Sequence, residues 1–444
     1  MTTHSSAYAS GGASPGTGGG APTVVSEFRP AAEPIAAVRP PGEVGGGDSG
    51  MARREIWADA AKGACILMVV LWHVVEKHYL EVSWRMPLPV PGLWGTFVEQ
   101  LLTLRMPLFF VISGVFAANA LHRPWSVVGR SKVARFCYLF LLWVFIHTAV
   151  LSLTPDFDTA RARSPLELLE QITITPPNLW YLYALALYFT IAKLVRRVPP
   201  AVVLGAAFVL SAVAAAGLVA TPGNRGGLYQ NLFFFLAGLY FRPFVERLAG
   251  RSNPRRVALT GAAYGVALLA MQVTASQEWP LVWPLVSIVA VVFGVTAAAQ
   301  VARWQALGKG LAALGRRTLP IYVIHMPVLA LLDWQIYGPL SIMDVRWQWL
   351  FAVVEPAALT ALVAAVCLVL ETGLRKAGAT WLFDLPGRRA RRGPARHRSP
   401  RPSAARPAGT AVHAPTVPLP VLEDATMQQP YLPGAAHARG TDAR

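Results

Sequence analysis

Lys62 and His73 flank ten uncharged residues in the stretch DAAKGACILMVVLWHVVEKH, positions 59 to 78. Eleven residues make close to three turns of an α-helix, so the two side chains share one face about 16 Å apart. Ionisable side chains are costly within a bilayer and often mark functional sites there. The alternatives are a Lys62 side chain that extends to the headgroups and a His73 ring that makes an ordinary interhelical hydrogen bond.

Arg105 is the charged residue of the next apolar segment, LRMPLFFVISGVF. It lies at a depth similar to that of His73, so we expect the two segments to meet there. An arginine at this depth needs a partner or a water-filled cavity, unless the helix is short and Arg105 is interfacial. Ser113 and Gly114 are expected to let another helix approach closely.

Polar side chains also occur in later apolar segments. Tyr322 and His325 lie near mid-membrane in LPIYVIHMPVL, where packing and function are both open roles for a histidine. Glu355 is a further intramembrane acid, which could pair with Arg105. Trp180 lies in the aromatic segment NLWYLYALALYF, which is typical of an interface belt.

The chain has 444 residues, of which 54% are hydrophobic and 14% charged, with a mean hydropathy of +0.43. This composition is too apolar for an ordinary soluble enzyme and indicates a polytopic membrane protein. The net charge of +17 falls in clusters beside apolar runs and in a Pro-rich tail, so we expect no nucleic-acid partner. Cys65, Cys137 and Cys367 all lie in apolar runs, so we expect neither a disulfide framework nor a metal site.

Ten apolar stretches are each about 20 residues long, which is the length of a helix that spans a bilayer. They lie at 57–77, 97–120, 133–154, 179–197, 200–220, 228–247, 256–275, 281–301, 318–337 and 349–373. Clusters of Arg and Lys occupy every alternate junction, which predicts a multi-pass protein of the cell membrane with both termini in the cytoplasm. We therefore expect an all-α, polytopic transmembrane bundle of about ten helices, with Lys62 near the cytoplasmic edge.

The two ends of the chain differ in composition from the rest. Residues 1–52 are rich in Gly, Ser, Ala and Pro and are predicted to be a disordered leader, with translation from Met1 or Met51 both open. Residues 53–376 form the predicted transmembrane domain. Residues 385–444 are predicted to be a disordered, basic, Pro-rich cytoplasmic tail that is either solvated or attracted to anionic lipid.

Five segments together resemble the acyltransferase-3 family of integral-membrane O-acyltransferases, which includes sugar O-acetylases. They are DAAKGACILMVVLWH, RMPLFFVISG, NLWYLYAL, FFFLAGLYF and LPIYVIH, in this order within residues 55–374. The resemblance implies acyl-CoA as a cytoplasmic donor, a hydroxyl as acceptor, an essential His73 and an important Lys62. In two respects the sequence differs: relatives often carry His where this chain has Arg105, and many have a hydrolase-like domain where the basic tail follows here.

The chemistry of acyl transfer suits these residues. Transfer from a thioester to an alcohol needs a base, which a neutral His73 can supply, and positive charge for CoA phosphates and oxyanion, which Lys62 and Arg105 can supply. We expect a membrane O-acyltransferase that moves an acyl group, expected to be acetyl, from acyl-CoA to a hydroxyl of a glycan or small molecule. His73 and Arg105 are the predicted catalytic residues and Lys62 the predicted acyl-CoA ligand. The predicted supporting residues are Trp180, Tyr322, His325 and Glu355.

The competing function is a proton-coupled transporter. Its relay would consist of the intramembrane residues His73, Arg105, His325 and Glu355. For the acyltransferase, direct transfer and an acyl-histidine intermediate are both open. The expected partners are the lipid bilayer and a carbohydrate or small-molecule acceptor.

Overall fold

The computed structural model describes residues 47–85, 90–221 and 226–386, with side chains from residue 56 onward within these ranges. The described residues contain helices and irregular segments but no β-strand, which confirms the all-α prediction. Most of the predicted leader and tail lies outside the described residues. The first helix begins at Gly47, inside the predicted leader.

Seven helices in the described ranges are long and apolar enough to cross a membrane. They are Ile56–Tyr79, Val90–Leu121, Trp125–Leu151, Pro254–Val273, Val282–Val301, Thr318–Ile342 and Val345–Lys376. All seven coincide with predicted spans, so the protein is a multi-pass membrane protein. The other three predicted spans are shorter or interrupted.

The first three of these helices consist of more than one element. The first comprises α1 (Gly47–Val74) and a π-helical turn (Val75–Tyr79). The second comprises α2 (Val90–Gln100) and α3 (Leu102–Leu121). The third comprises α4 (Trp125–Val128), a second π-helical turn (Gly129–Val133) and α5 (Ala134–Leu151).

The middle of the chain contains the shorter helices. They are α6 (Pro165–Thr173), α7 (Trp180–Leu194), α8 (Pro200–Ala215), α9 (Gly226–Gln230), α10 (Leu232–Tyr240) and α11 (Arg242–Gly250). The single helix predicted over 228–247 is therefore wrong. Pro243 explains the interruption before α11, because its ring would clash with the Leu239 carbonyl if α10 continued through it.

The remaining helices complete the bundle around α1. They are α12 (Pro254–Val273), α13 (Val282–Val301), α14 (Gln305–Arg316), α15 (Thr318–Ile342) and α16 (Val345–Lys376). α1 packs against α3, α13, α14, α15 and α16. Its small and apolar side chains, such as Ala61, Cys65 and Ile66, are fully buried. Lys62 and His73 thus lie on a helix that has protein neighbours on several sides.

Gly114 and Gly238 bring α3 and α10 together. A Cβ atom on Gly114 would lie 2.0 Å from the carbonyl oxygen of Phe235, and one on Gly238 would lie 2.0 Å from that of Val111. The two helices therefore meet backbone to backbone, as small residues permit in membranes. This contact confirms the close approach predicted from Gly114.

We expect Gly114→Leu to destabilise the bundle by about 1 to 3 kcal/mol, because the added side chain must push α3 away from α10. The measurement is thermal unfolding of the detergent-solubilised protein, followed by tryptophan fluorescence. Gly205→Leu in α8 is the matched control, since a side chain there meets open space. Equal unfolding midpoints for the two variants would contradict a stabilising role of the glycine contact.

Candidate active site

His73 and His325 form a buried pair between α1 and α15. The Nε2 atom of His325 lies 3.3 Å from the Nδ1 atom of His73, and the ring centroids are 4.9 Å apart. The exposed fractions are 8% for His73 and 1% for His325. The sequence placed both histidines inside the membrane but did not predict that they meet.

Two backbone carbonyls determine which ring nitrogens of this pair carry protons. His73 Nδ1 lies 2.9 Å from the Val69 oxygen, and His325 Nδ1 lies 2.7 Å from the Tyr322 oxygen. A carbonyl oxygen only accepts hydrogen bonds, so both Nδ1 atoms are the donors in the neutral rings. His325 Nε2 is then an acceptor that faces the Nδ1–H of His73. The Nε2 atom of His73 keeps its lone pair and can act as base or nucleophile.

Arg105 approaches this pair through Trp72. Its guanidinium carbon lies 4.6 Å from the centroid of the Trp72 ring, which lies 4.6 Å from the His73 ring. The Arg105 side chain is buried and donates a hydrogen bond of 3.1 Å to the carbonyl oxygen of Val98. The two segments meet as expected, and the Trp72 ring contacts both the cation and the imidazole. Cation–π contact with Trp72 compensates part of the cost of burying Arg105.

A cavity of about 360 Å³, here called the basic pocket, lies at the end of the bundle that contains Lys62. Its cations are Lys62 from α1, Lys132 from the second π-helical turn and Arg135 from α5. Lys62 Nζ lies 2.7 Å from Asp59 Oδ1 and 4.5 Å from the centroid of the Phe116 ring. The predicted Lys62 ligand site is thus part of a three-cation cluster, and two of its members were not singled out from the sequence.

Tyr322 joins the basic pocket to the histidine pair. Its side chain lines the pocket. Its hydroxyl donates a hydrogen bond of 2.8 Å to the Asn178 oxygen and accepts one of 3.1 Å from the Tyr181 N–H. Tyr181 in turn contacts Ser113 through a hydroxyl pair at 2.8 Å. The backbone oxygen of Tyr322 is the partner of His325 described above. Tyr322 therefore connects the pocket to the histidine pair, and neither His73 nor His325 lines the pocket.

The structure separates Trp180 from the other predicted site residues. Trp180 packs 5.9 Å from the Phe110 ring centroid and against Gly227, and it does not line the basic pocket. The neighbouring Tyr181 lines it instead. Consecutive helix residues point about 100° apart, so a run of aromatic residues does not reveal which one faces a site.

Glu355 also differs from the sequence-based suggestion, because it pairs with His78 and not with Arg105. His78 Nδ1 lies 2.6 Å from Asp333 Oδ1, and His78 Nε2 lies 3.2 Å from Glu355 Oε1. We call these three residues the His78 cluster. His78 is fully buried. In the described residues no group of three or more His, Cys, Asp or Glu side chains could hold a metal ion.

Lys77, next to His78, makes an ion pair of a different kind. Its Nζ atom lies 2.8 Å from Asp158 Oδ2 in the loop between α5 and α6, and the Asp158 side chain is 77% exposed. The hydrogen bond from Lys77 lowers the pKa of the Asp158 carboxyl. Such an exposed pair contributes little to stability, so Lys77 is a suitable control position.

A model of the Acyl_transf_3 family, described as an acyltransferase domain, matches residues 55–371. This chain belongs to the acyltransferase-3 family. The matched range contains the basic pocket, the histidine pair and Arg105. Family membership and the apolar helices together describe a multi-pass membrane protein with an acyltransferase-type domain.

One curated relative is similar to part of the chain. The inner membrane protein YcfT of Escherichia coli (strain K12) is 29% identical over 207 residues. The match covers 43% of this chain and 57% of YcfT, so it spans little more than half of that relative. No solved structure matches the chain.

Proposed function

We propose that this acyltransferase-3 protein is an O-acyltransferase that moves an acetyl group from acetyl-CoA to a hydroxyl of a glycan or small molecule. The observation that carries the proposal is the oriented His73–His325 pair, which Tyr322 connects to a three-cation pocket, in a chain of an acyltransferase family. In this proposal the end of the bundle with Lys62 faces the cytoplasm, where acyl-CoA is available.

The basic pocket would hold the phosphates of CoA. Lys62, Lys132 and Arg135 supply charge-assisted hydrogen-bond donors for phosphate oxygens, and the aromatic walls of the pocket suit the adenine ring. The pantetheine arm would pass Tyr181 and Tyr322 towards His73, which lies about 16 Å from Lys62 along α1. The thioester would then reach the histidine pair, while the nucleotide stays at the pocket.

His73 Nε2 would perform the proton transfer. In direct transfer it takes the proton of the acceptor hydroxyl as that oxygen bonds to the thioester carbon, and the C–S bond breaks. The thiolate of CoA then takes the proton from His73, so no proton is gained or lost. His325 Nε2 accepts from His73 Nδ1–H and stabilises the imidazolium, in the way that an oriented partner assists a catalytic histidine.

A second route uses the same atoms. His73 Nε2 attacks the thioester carbon and the C–S bond breaks. The acceptor hydroxyl later displaces the imidazole from the acyl group and loses its proton, which balances the proton that the CoA thiolate takes up. Arg105 would stabilise negative charge that develops near His73 in either route, acting across the Trp72 ring. A labelled acetyl group that stays on the protein after removal of acetyl-CoA, and that is absent in His73→Ala, would identify this second route.

The test of the function is thiol release from acetyl-CoA by the purified full-length protein in liposomes, with and without a glycan fraction of the source membrane. We expect release of CoA to increase when acceptor is present, with label recovered as an ester that hydroxylamine removes. The proton-coupled transporter uses the same ionisable residues and predicts a different outcome. It would give proton flux with a solute and no release of CoA thiol.

The proposed orientation of the protein in the membrane gives a separate prediction. In a variant without Cys65, Cys137 and Cys367, we expect Glu167→Cys in α6 to react with a membrane-impermeant maleimide in intact cells, because the loop before α7 should be extracytoplasmic. Lys309→Cys in α14 should react only after the membrane is opened. The reverse pattern would place the basic pocket outside the cell and remove its access to cytoplasmic acyl-CoA.

A further inference from the structure

The π-helical turn Val75–Tyr79 begins two residues after His73 and carries His78. In a continuous α-helix, five residues rotate a side chain by about 500°, which would leave His78 about 140° away from the face of His73. In a π-turn the N–H of residue i+5 bonds to the carbonyl of residue i, as Leu80 N does to Val75 O over 3.0 Å. Each residue of the π-turn therefore rotates the chain by less than in an α-helix, which brings His78 closer to the face that carries His73.

The His78 cluster joins three helices in one arrangement. His78 comes from the π-turn after α1, Asp333 from α15 and Glu355 from α16. Neither oxygen of Glu355 makes a hydrogen bond within the described structure, so its contact with His78 is an ion pair without hydrogen-bond geometry. Buried charges are costly without a partner. Any shift of α1 relative to α15 or α16 would leave these carboxylates unpaired.

The first membrane-spanning helix and α15 meet a second time at this cluster, through the π-turn. The first contact is His73 with His325; five residues further along the first helix and eight further along α15, His78 meets Asp333. The next residue, Tyr79, donates a hydrogen bond of 2.6 Å from its hydroxyl to the Ala352 oxygen of α16. The π-turn is therefore held by both neighbouring helices directly beyond His73.

We propose that His78, Asp333 and Glu355 are positioning residues, which hold the π-turn and thereby orient His73 against His325. The inference rests on the proposed catalytic role of His73. The cluster acts on catalysis only through the placement of His73. None of its three residues lines the basic pocket, so acyl-CoA binding is independent of it.

The kinetic test compares His78→Gln with a variant that also contains Asp333→Asn and Glu355→Gln. The single change leaves the buried Glu355 and the half-buried Asp333 without the His78 ring, whereas the triple variant replaces all three ionisable groups by neutral side chains that keep hydrogen-bonding groups. We expect His78→Gln to lower kcat by about 10² with the KM for acetyl-CoA unchanged, as for a misplacement of about 1 Å in a catalytic group. The triple variant should recover most of the lost kcat.

The second readout does not depend on activity. In a variant without the native cysteines, His73→Cys and His325→Cys are combined and treated with a short bifunctional thiol reagent, which should link α1 and α15 rapidly because the native rings are 4.9 Å apart. Adding His78→Gln should slow this reaction about tenfold or more, because positions 73 and 325 lose their alignment. Lys77→Gln is the control and should change neither kcat nor the linking rate.

The outcomes separate this inference from the proposed function. An unchanged linking rate in the presence of His78→Gln, or a rise in KM equal to the fall in kcat, would overturn the positioning role. A fully active His73→Ala protein would instead overturn the proposed function, and the linking experiment would still report whether the His78 cluster aligns the two helices.

Discussion

His73→Ala is expected to reduce acyl transfer by about 10³ or more in kcat, because it removes the base or nucleophile at the reacting centre. The KM for acetyl-CoA should stay close to that of the unchanged protein, since the basic pocket keeps its three cations. The measurement is transfer to acceptor against acetyl-CoA concentration in liposomes at matched protein amounts. Full activity in His73→Ala would end the catalytic assignment.

His325 provides a graded companion to this experiment. His325→Ala should lose less activity than His73→Ala, because His325 contacts the Nδ1–H of His73 and not the reacting atoms. His325→Gln should restore part of the loss, since the side-chain oxygen of Gln can accept the same hydrogen bond. His122→Ala, at an exposed histidine after α3, is the matched control and should be fully active. Equal losses in His325→Ala and His325→Gln would contradict the accepting role of His325.

Lys62→Ala is expected to raise the KM for acetyl-CoA about tenfold or more, which corresponds to the loss of a charge-assisted hydrogen bond to phosphate. The KM of Lys62→Arg should lie between those of the unchanged protein and Lys62→Ala, because the charge remains while the geometry differs. Lys309→Ala in α14 is the control, since Lys309 is exposed and does not line the basic pocket. An unchanged KM in Lys62→Ala would assign Lys62 to membrane anchoring, with its ion pair to Asp59 as its only contact with an acidic side chain in the described structure.

The basic pocket allows a sharper form of this measurement. Acetyl-CoA and its 3′-dephospho analogue differ by one phosphate, so the ratio of their KM values reports a cation at that phosphate. One of the three variants Lys62→Ala, Lys132→Gln and Arg135→Gln should remove the side chain that binds the 3′-phosphate. In that variant we expect the KM ratio to fall towards one. A ratio that no variant changes would mean that the pocket does not bind this part of CoA.

Local sequence properties determined the spans and the Lys62–His73 face. Hydropathy over about 20 residues and the α-helical period depend on neighbours along the chain, so they predicted the helices that carry the site. The small size of Gly114 likewise predicted a close helix contact, which the structure places against Phe235 of α10. Each of these predictions needed information from one segment only.

Tertiary structure decided how the segments meet. The pairing of His73 with His325, and of Glu355 with His78 in place of Arg105, depends on the relative rotation and depth of different helices. The choice between Trp180 and Tyr181 as a pocket residue depends on the same rotation. In addition, the π-turn after α1 places His78 on a different face from the one that a regular α-helical period would give it. Sequence period describes one helix at a time, whereas the site is defined by side chains from several helices whose packing sets their contacts.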